Sequence, residues 1–166
     1  MIWLKRALAL PLVGTMFWLG MILSTLILPE NKAATVDDVA RTGEMNWVVF
    51  TPEAVATHLA EGKIVFIDVT ADWCITCKAN KALVLDQAPV AKKMMTLQHA
   101  GSVVPMQADW TRPNEQIATF LASHNRFGIP FNIIYGPAMP KGYLLPELLT
   151  SVAVLEALEL VTEPPK

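Results

Sequence analysis

The chain reads as an α/β sandwich on a mixed sheet, led by one apolar segment long enough to span a bilayer. Three observations point there. Apolar, β-branched runs at Ile64–Val69, Ser102–Ala108 and Phe131–Tyr135 alternate with stretches whose apolar residues recur at helical spacing. The pattern then closes with a strand pair and a final helix, which makes the sheet mixed. Ahead of all this, the run from Ala7 to Leu28 carries no charge and is rich in Leu, Ile, Val, Met, Phe and Trp.

That first run is close to the roughly 20 apolar residues a membrane helix needs. Pro11 and Gly14 are tolerable in such a helix, and Trp3 suits an interface. A cleavable signal peptide is the competing reading. Its apolar core is usually only about 7–15 residues long, and Ala33-Ala34 offers a weak cleavage site. A buried core helix does not fit, because no polar face exists along the run. Lys5 and Arg6 precede it and Glu30-Asn31-Lys32 follows, so the positive-inside rule keeps the N-terminus in the cytoplasm. The expected organisation is a cytoplasmic N-terminus and transmembrane anchor over 1–29, a polar linker over 30–45 and a folded domain over 46–162. In a bacterium this is a single-pass inner-membrane protein with its C-terminal domain in the periplasm.

Within the folded part, Asn46–Phe50 reads as a short strand. Thr51 then caps a helix over Pro52–Ala60, with Pro52 at its first position, Glu53 in its first turn and Gly62 at its stop. The strand Ile64–Val69 ends in a polar turn, after which Lys78–Leu85 is helical and Cys74 stands at the helix start. Pro89 breaks the helical region and restarts it over Val90–Leu97. Asn114 caps the next helix, whose Ile117, Phe120 and Leu121 share a face. Gly136-Pro137 forms a turn, Gly142–Leu145 an edge strand, and Ser151–Leu160 the last helix.

The totals exclude several classes. A formal charge of −2 with 17% charged residues in 166 leaves no broad basic surface, and hence no nucleic-acid partner. Two cysteines are too few, and too close together, to staple a fold. Their Cys74-x-x-Cys77 spacing leaves a redox pair, half a zinc site or coincidence. Zinc needs about four ligands, and His58, His99 and His124 fall on separate predicted helices. Haem attachment needs His after the second cysteine, where Lys78 stands. A helix start favours a thiolate through unpaired N–H groups and the helix dipole. Cys74 as nucleophile and Cys77 as resolving thiol therefore form a dithiol–disulfide exchange site, with no metal and no cofactor beyond the pair. Met94, Met95, Met106 and Met139 invite a copper reading, but their spacing suits packing.

Val65-Phe66-Ile67-Asp68, Ala71-Asp72-Trp73-Cys74-x-x-Cys77-Lys78 and the distant Ile129-Pro130 resemble the thioredoxin fold. The Ala-Asp-Trp-Cys-x-x-Cys-Lys form is similar to the C-terminal domain of the DsbD and suppressor-of-copper-sensitivity protein B family. Ala108–Asn114 and Gly128-Ile129-Pro130-Phe131-Asn132 match that branch too. The resemblance implies a periplasmic disulfide reductase, electrons from a DsbD-type membrane donor, and disulfide-bearing periplasmic proteins as partners. It implies that Asp68, buried in its strand, relays the proton of the resolving thiol. A satisfied structural carboxyl is the bland alternative. It further implies a cis bond before Pro130, with Ile129 offering backbone hydrogen bonds to a substrate strand and Trp73 an apolar platform. Asp72 and Lys78 are candidate modulators. Ile75-Thr76 replaces the Gly-Pro of ordinary thioredoxins, and Lys81 stands where some DsbD-type domains have glutamate. A Cu(I)-binding module and an oxidase or isomerase are the competing functions.

Overall fold

The computed structural model describes residues 45–162, together with Met16 and Leu19. The chain divides into two units, Met1–Arg41 and Thr42–Lys166. Of the first, Met16 and Leu19 are helical and exposed; the rest of the expected anchor, and the linker up to Glu44, lie outside the described residues. Among the described residues no helix is long and apolar enough to cross a membrane.

The second unit runs β1 (Val48–Val49), α1 (Pro52–Ala60), β2 (Ile64–Thr70), α2 (Ile75–Asn80), α3 (Val90–His99), β3 (Val103–Asp109), α4 (Glu115–Ser123), β4 (Phe131–Gly136), β5 (Met139–Leu144) and α5 (Ser151–Thr162). A π-helical turn, Lys81–Leu85, extends α2. The strands form one sheet in the order β1-β3-β2-β4-β5. β2 and β1 run parallel to β3, whereas β4 is antiparallel to both β2 and β5. The mixed sheet expected from the sequence is therefore present.

Central β2 is buried on both faces, which is why it reads as a continuous apolar run rather than an alternating one. Ile64 and Phe66 face one layer, with Ile134 of β4, Leu85, Met94 of α3 and Leu158 of α5. Val65, Ile67 and Val69 face the other, with Val55 of α1 and Ile117 and Leu121 of α4. Each fully buried side chain of this kind contributes roughly 1.5–3 kcal/mol. Gly136 lets α5 press onto β4: a Cβ there would lie 2.5 Å from the Val161 carbonyl oxygen.

Local signals behaved as expected at the caps. Thr51 Oγ1 accepts the Ala54 N–H at 3.1 Å, and Asn114 Oδ1 accepts those of Gln116 and Ile117. The edge strand differs from its expected span. β5 begins at Met139 rather than Gly142, because a tight Pro137–Ala138 turn starts the hairpin at once and places Gly136 opposite Met139. Leu145 falls beyond the strand and is buried instead.

Candidate active site

β2 and α2 together build the site. β2 delivers the chain through the turn at Ala71–Trp73 to Cys74, which caps α2: the Cys77 N–H donates to Cys74 Sγ at 3.2 Å. The two cysteines form a disulfide, with S–S 2.03 Å and Cα–Cα 5.3 Å. Both are buried, in a small cluster with Ala71 and half-buried Ile129. The Ile129–Pro130 peptide bond is cis, and so is Ala88–Pro89 at the break before α3. Hence a loop distant in sequence meets the dithiol, and β4 starts directly after it.

The turn before Cys74 is tied to the end of β3. The Asp72 N–H donates to Thr111 Oγ1 at 2.9 Å, and Thr111 in turn donates to the Asp109 carboxylate through its hydroxyl and, at 2.8 Å, its N–H. Asp72 thus contributes its backbone here, while its side chain and that of Lys78 are exposed. Trp73 is 61% exposed and lines a groove of about 900 Å³ with Trp110, Pro113, Phe127, Gly128 and Ile129. Glu115 is the charged residue on its wall. Trp110 falls in the Ala108–Asn114 stretch that carries the family resemblance, but neither its place in this groove nor Phe127 is read from the sequence. The signal the sequence holds for Phe127 is its place directly before Gly128-Ile129-Pro130; the structure leaves it 83% exposed.

Asp68 lies within β2, six residues before Cys74. By strand alternation it shares a face with Ile64 and Phe66, the face covered by the segment that follows Cys77. It is 3% exposed. Burial pushes its carboxyl from 3.8 up to about 6, opposed by a hydrogen bond from Asn132 and by the positive charge of Lys81, and reinforced by the negative charge of Asp86. The Asn132 Nδ2–H donates to Asp68 Oδ1 at 2.8 Å. The register explains this contact, since Asp68 pairs with Asn132 across β2 and β4. Lys81 itself is pinned between Asp86 Oδ1 at 3.3 Å and the face of Trp47, 4.5 Å from the ring centroid.

Asn80, at the join of α2 and the π-helical turn, was also missed. It is buried, donates to the Glu147 carbonyl at 2.7 Å and accepts the Leu149 N–H at 3.1 Å. Its two bonds strap the segment between β5 and α5 onto the helix that carries Cys77. The histidines do other work. His124 donates through Nδ1 to the Phe120 carbonyl at 2.8 Å and accepts the Tyr135 hydroxyl at 2.7 Å, and burial pushes that phenol up to about 12. His58 pairs with Glu61. Among the described residues no group of three or more His, Cys, Asp or Glu is placed to hold a metal ion.

The arrangement can take up and give back two electrons at the disulfide. The sequence model of the thioredoxin-like family matches residues 46–137. The chain is 32% identical over 107 residues to the thiol:disulfide interchange protein DsbD of Ralstonia nicotianae, covering 64% of this chain and 16% of that protein. Its likeness to the DsbD of Vibrio cholerae is 29% over 125 residues, or 72% of this chain and 20% of that protein. The chain thus spans a fifth or less of the length of these relatives. In fold it is similar to the oxidised C-terminal domain of Neisseria meningitidis DsbD, with a TM-score of 0.53 and 24% identity, covering 69% of this chain and 99% of that one.

Proposed function

The chain belongs to the thioredoxin-like family, and on that premise we propose that it is a thiol–disulfide oxidoreductase working as a reductase. Its domain faces the periplasm from a membrane anchor over 1–29 and a linker over 30–45. The observation that carries the redox reading is the Cys74–Cys77 disulfide capping α2 against the cis Ile129–Pro130 loop. The relatives' printed name, thiol:disulfide interchange protein, supports the same chemistry. The apolar run at 7–28 and the basic pair before it support the anchor.

In the reduced protein the Cys74 thiolate attacks a partner disulfide. One partner sulfur leaves as thiolate and a mixed disulfide forms. Asp68, ionised above about pH 6, takes the proton of Cys77. The Cys77 thiolate then attacks Cys74 Sγ, closes the protein disulfide and releases the second partner sulfur. Two electrons have passed to the partner. A DsbD-type dithiol donor in the membrane returns them by the same exchange run in reverse. The partner's chain lies beside Ile129 and Trp73, bonding to the Ile129 backbone by strand addition.

The purified full chain is expected to reduce insulin in the presence of dithiothreitol. Cys77→Ser should accumulate a mixed disulfide with a disulfide-bearing protein, and Cys74→Ser should do neither. Equal insulin reduction by Cys74→Ser and the native chain would sink the proposal. Stoichiometric copper on an inactive native chain would favour the metal-binding alternative.

A further inference from the structure

Asn132 sits where an apolar residue would serve the fold better. It is 1% exposed, in a β4 face otherwise occupied by Ile134 and lying against Phe66 and Leu85. Its Nδ2–H reaches Asp68, yet its Oδ1 has no hydrogen-bond partner. A buried unpaired carbonyl costs folding free energy, and a leucine of similar size would not carry that cost. A polar group that stability does not favour, bonded to a buried carboxyl six residues before the first cysteine, points to the chemistry of that carboxyl.

We propose that Asn132 is the positioning residue that holds Asp68 through both halves of its proton cycle. The inference rests on the reading of Asp68 as the base for Cys77. With Asp68 ionised, the Nδ2–H donates to its Oδ1, as observed. When Asp68 gains the Cys77 proton, it becomes a donor, and the Asn132 Oδ1 is the acceptor available on the same amide. A planar amide and a planar carboxylic acid can make both bonds at once, and the strand register sets these two side chains opposite each other. The bond to the ionised form is the stronger, so the net effect keeps the carboxyl from rising as far as burial alone would push it. The charged groups that act on Asp68 are Lys81 and Asp86, from the turn after α2. β3 places Gln107 in register with it and β4 places Asn132; Cys77, whose proton the reading assigns to it, lies on α2.

The test replaces Asn132 in the full chain by Leu, and separately by Ser, which keeps a smaller hydrogen-bonding group. Two quantities are read: the Asp68 midpoint in the oxidised protein, from the carboxyl carbon NMR shift against pH, and the pH profile of single-turnover disulfide reduction. In Asn132→Leu the Asp68 midpoint should rise by about one pH unit or more, and the kinetic profile should move the same way. Asn132→Ser should shift less. An unchanged Asp68 midpoint in folded Asn132→Leu overturns the role given to Asn132. A profile that keeps its midpoint in Asp68→Asn instead sinks the relay reading on which it rests, so the two failures are told apart.

Discussion

Asp68→Asn should make the oxidised protein more stable at neutral pH while making it a worse reductase. The carboxyl's folded value is raised from 3.8 to about 6. Between these values the unfolded chain has lost the proton and the folded chain still holds it. The folded state therefore binds more protons in that window, and stability falls as pH rises through it. Below about pH 4 the group contributes no penalty; above about pH 6 the loss is complete. At roughly 1.36 kcal/mol per pH unit, the rise from 3.8 to about 6 sets an upper bound of about 3 kcal/mol. Asparagine is neutral throughout and can still accept the Asn132 amide, so the variant escapes the penalty with packing intact. The assay is urea unfolding of both oxidised proteins from pH 4 to pH 8. The stability difference should start near zero and grow toward about 3 kcal/mol in favour of the variant. In single-turnover reduction at pH 7 the variant should be slower by roughly 10²-fold, the lower range for a lost general base. Parallel stability curves across the whole range would refute the argument, because they would mean that Asp68 ionises alike in both states.

Lys81→Glu should raise the Asp68 midpoint and move the reduction profile to higher pH, since it removes a charge that favours the carboxylate and installs an opposing one. The same change loses the contact over Trp47, worth about 0.5–1 kcal/mol, read as a lower urea midpoint; a profile moved to lower pH would contradict this. Asn80→Ala leaves the buried Leu149 N–H without its acceptor, which should cost about 1–3 kcal/mol. Hydrogen exchange at Leu149 should accelerate, and protection equal to that of the native chain would show that the strap is dispensable.

Much of the domain was legible because its signals are local. A central strand buried on both faces has to be apolar throughout, so Ile64–Val69 announced itself, and its one carboxyl, Asp68, stood out by violating that pattern. Thr51 and Asn114 cap helices through bonds spanning two or three residues, a range that a sequence window contains. Cys74 and Cys77 lie one helical turn apart, a spacing that leaves a redox pair or half a zinc site, and the lack of further ligands in the sequence favours the pair. The edge strand was placed late because β5 is half-exposed and weakly patterned. Its start is decided by the turn that precedes it, not by its own residues.

By itself the sequence determined the alternation of elements, the dithiol at a helix start and the carboxyl in the central strand, all features carried within a dozen residues. The tertiary structure alone decided what stands opposite them. Antiparallel pairing of β2 with β4 puts Asn132 on Asp68 across 64 positions of chain. The packing of α2 against the β5–α5 connection gives Asn80 its two carbonyl and amide partners. The ends of β3 and α4 bring Trp110 and Phe127 to the groove beside Trp73. Each of these contacts is set by a register or a layer. Such relations arise only when distant segments bury their apolar faces together, and no local pattern of residues encodes them.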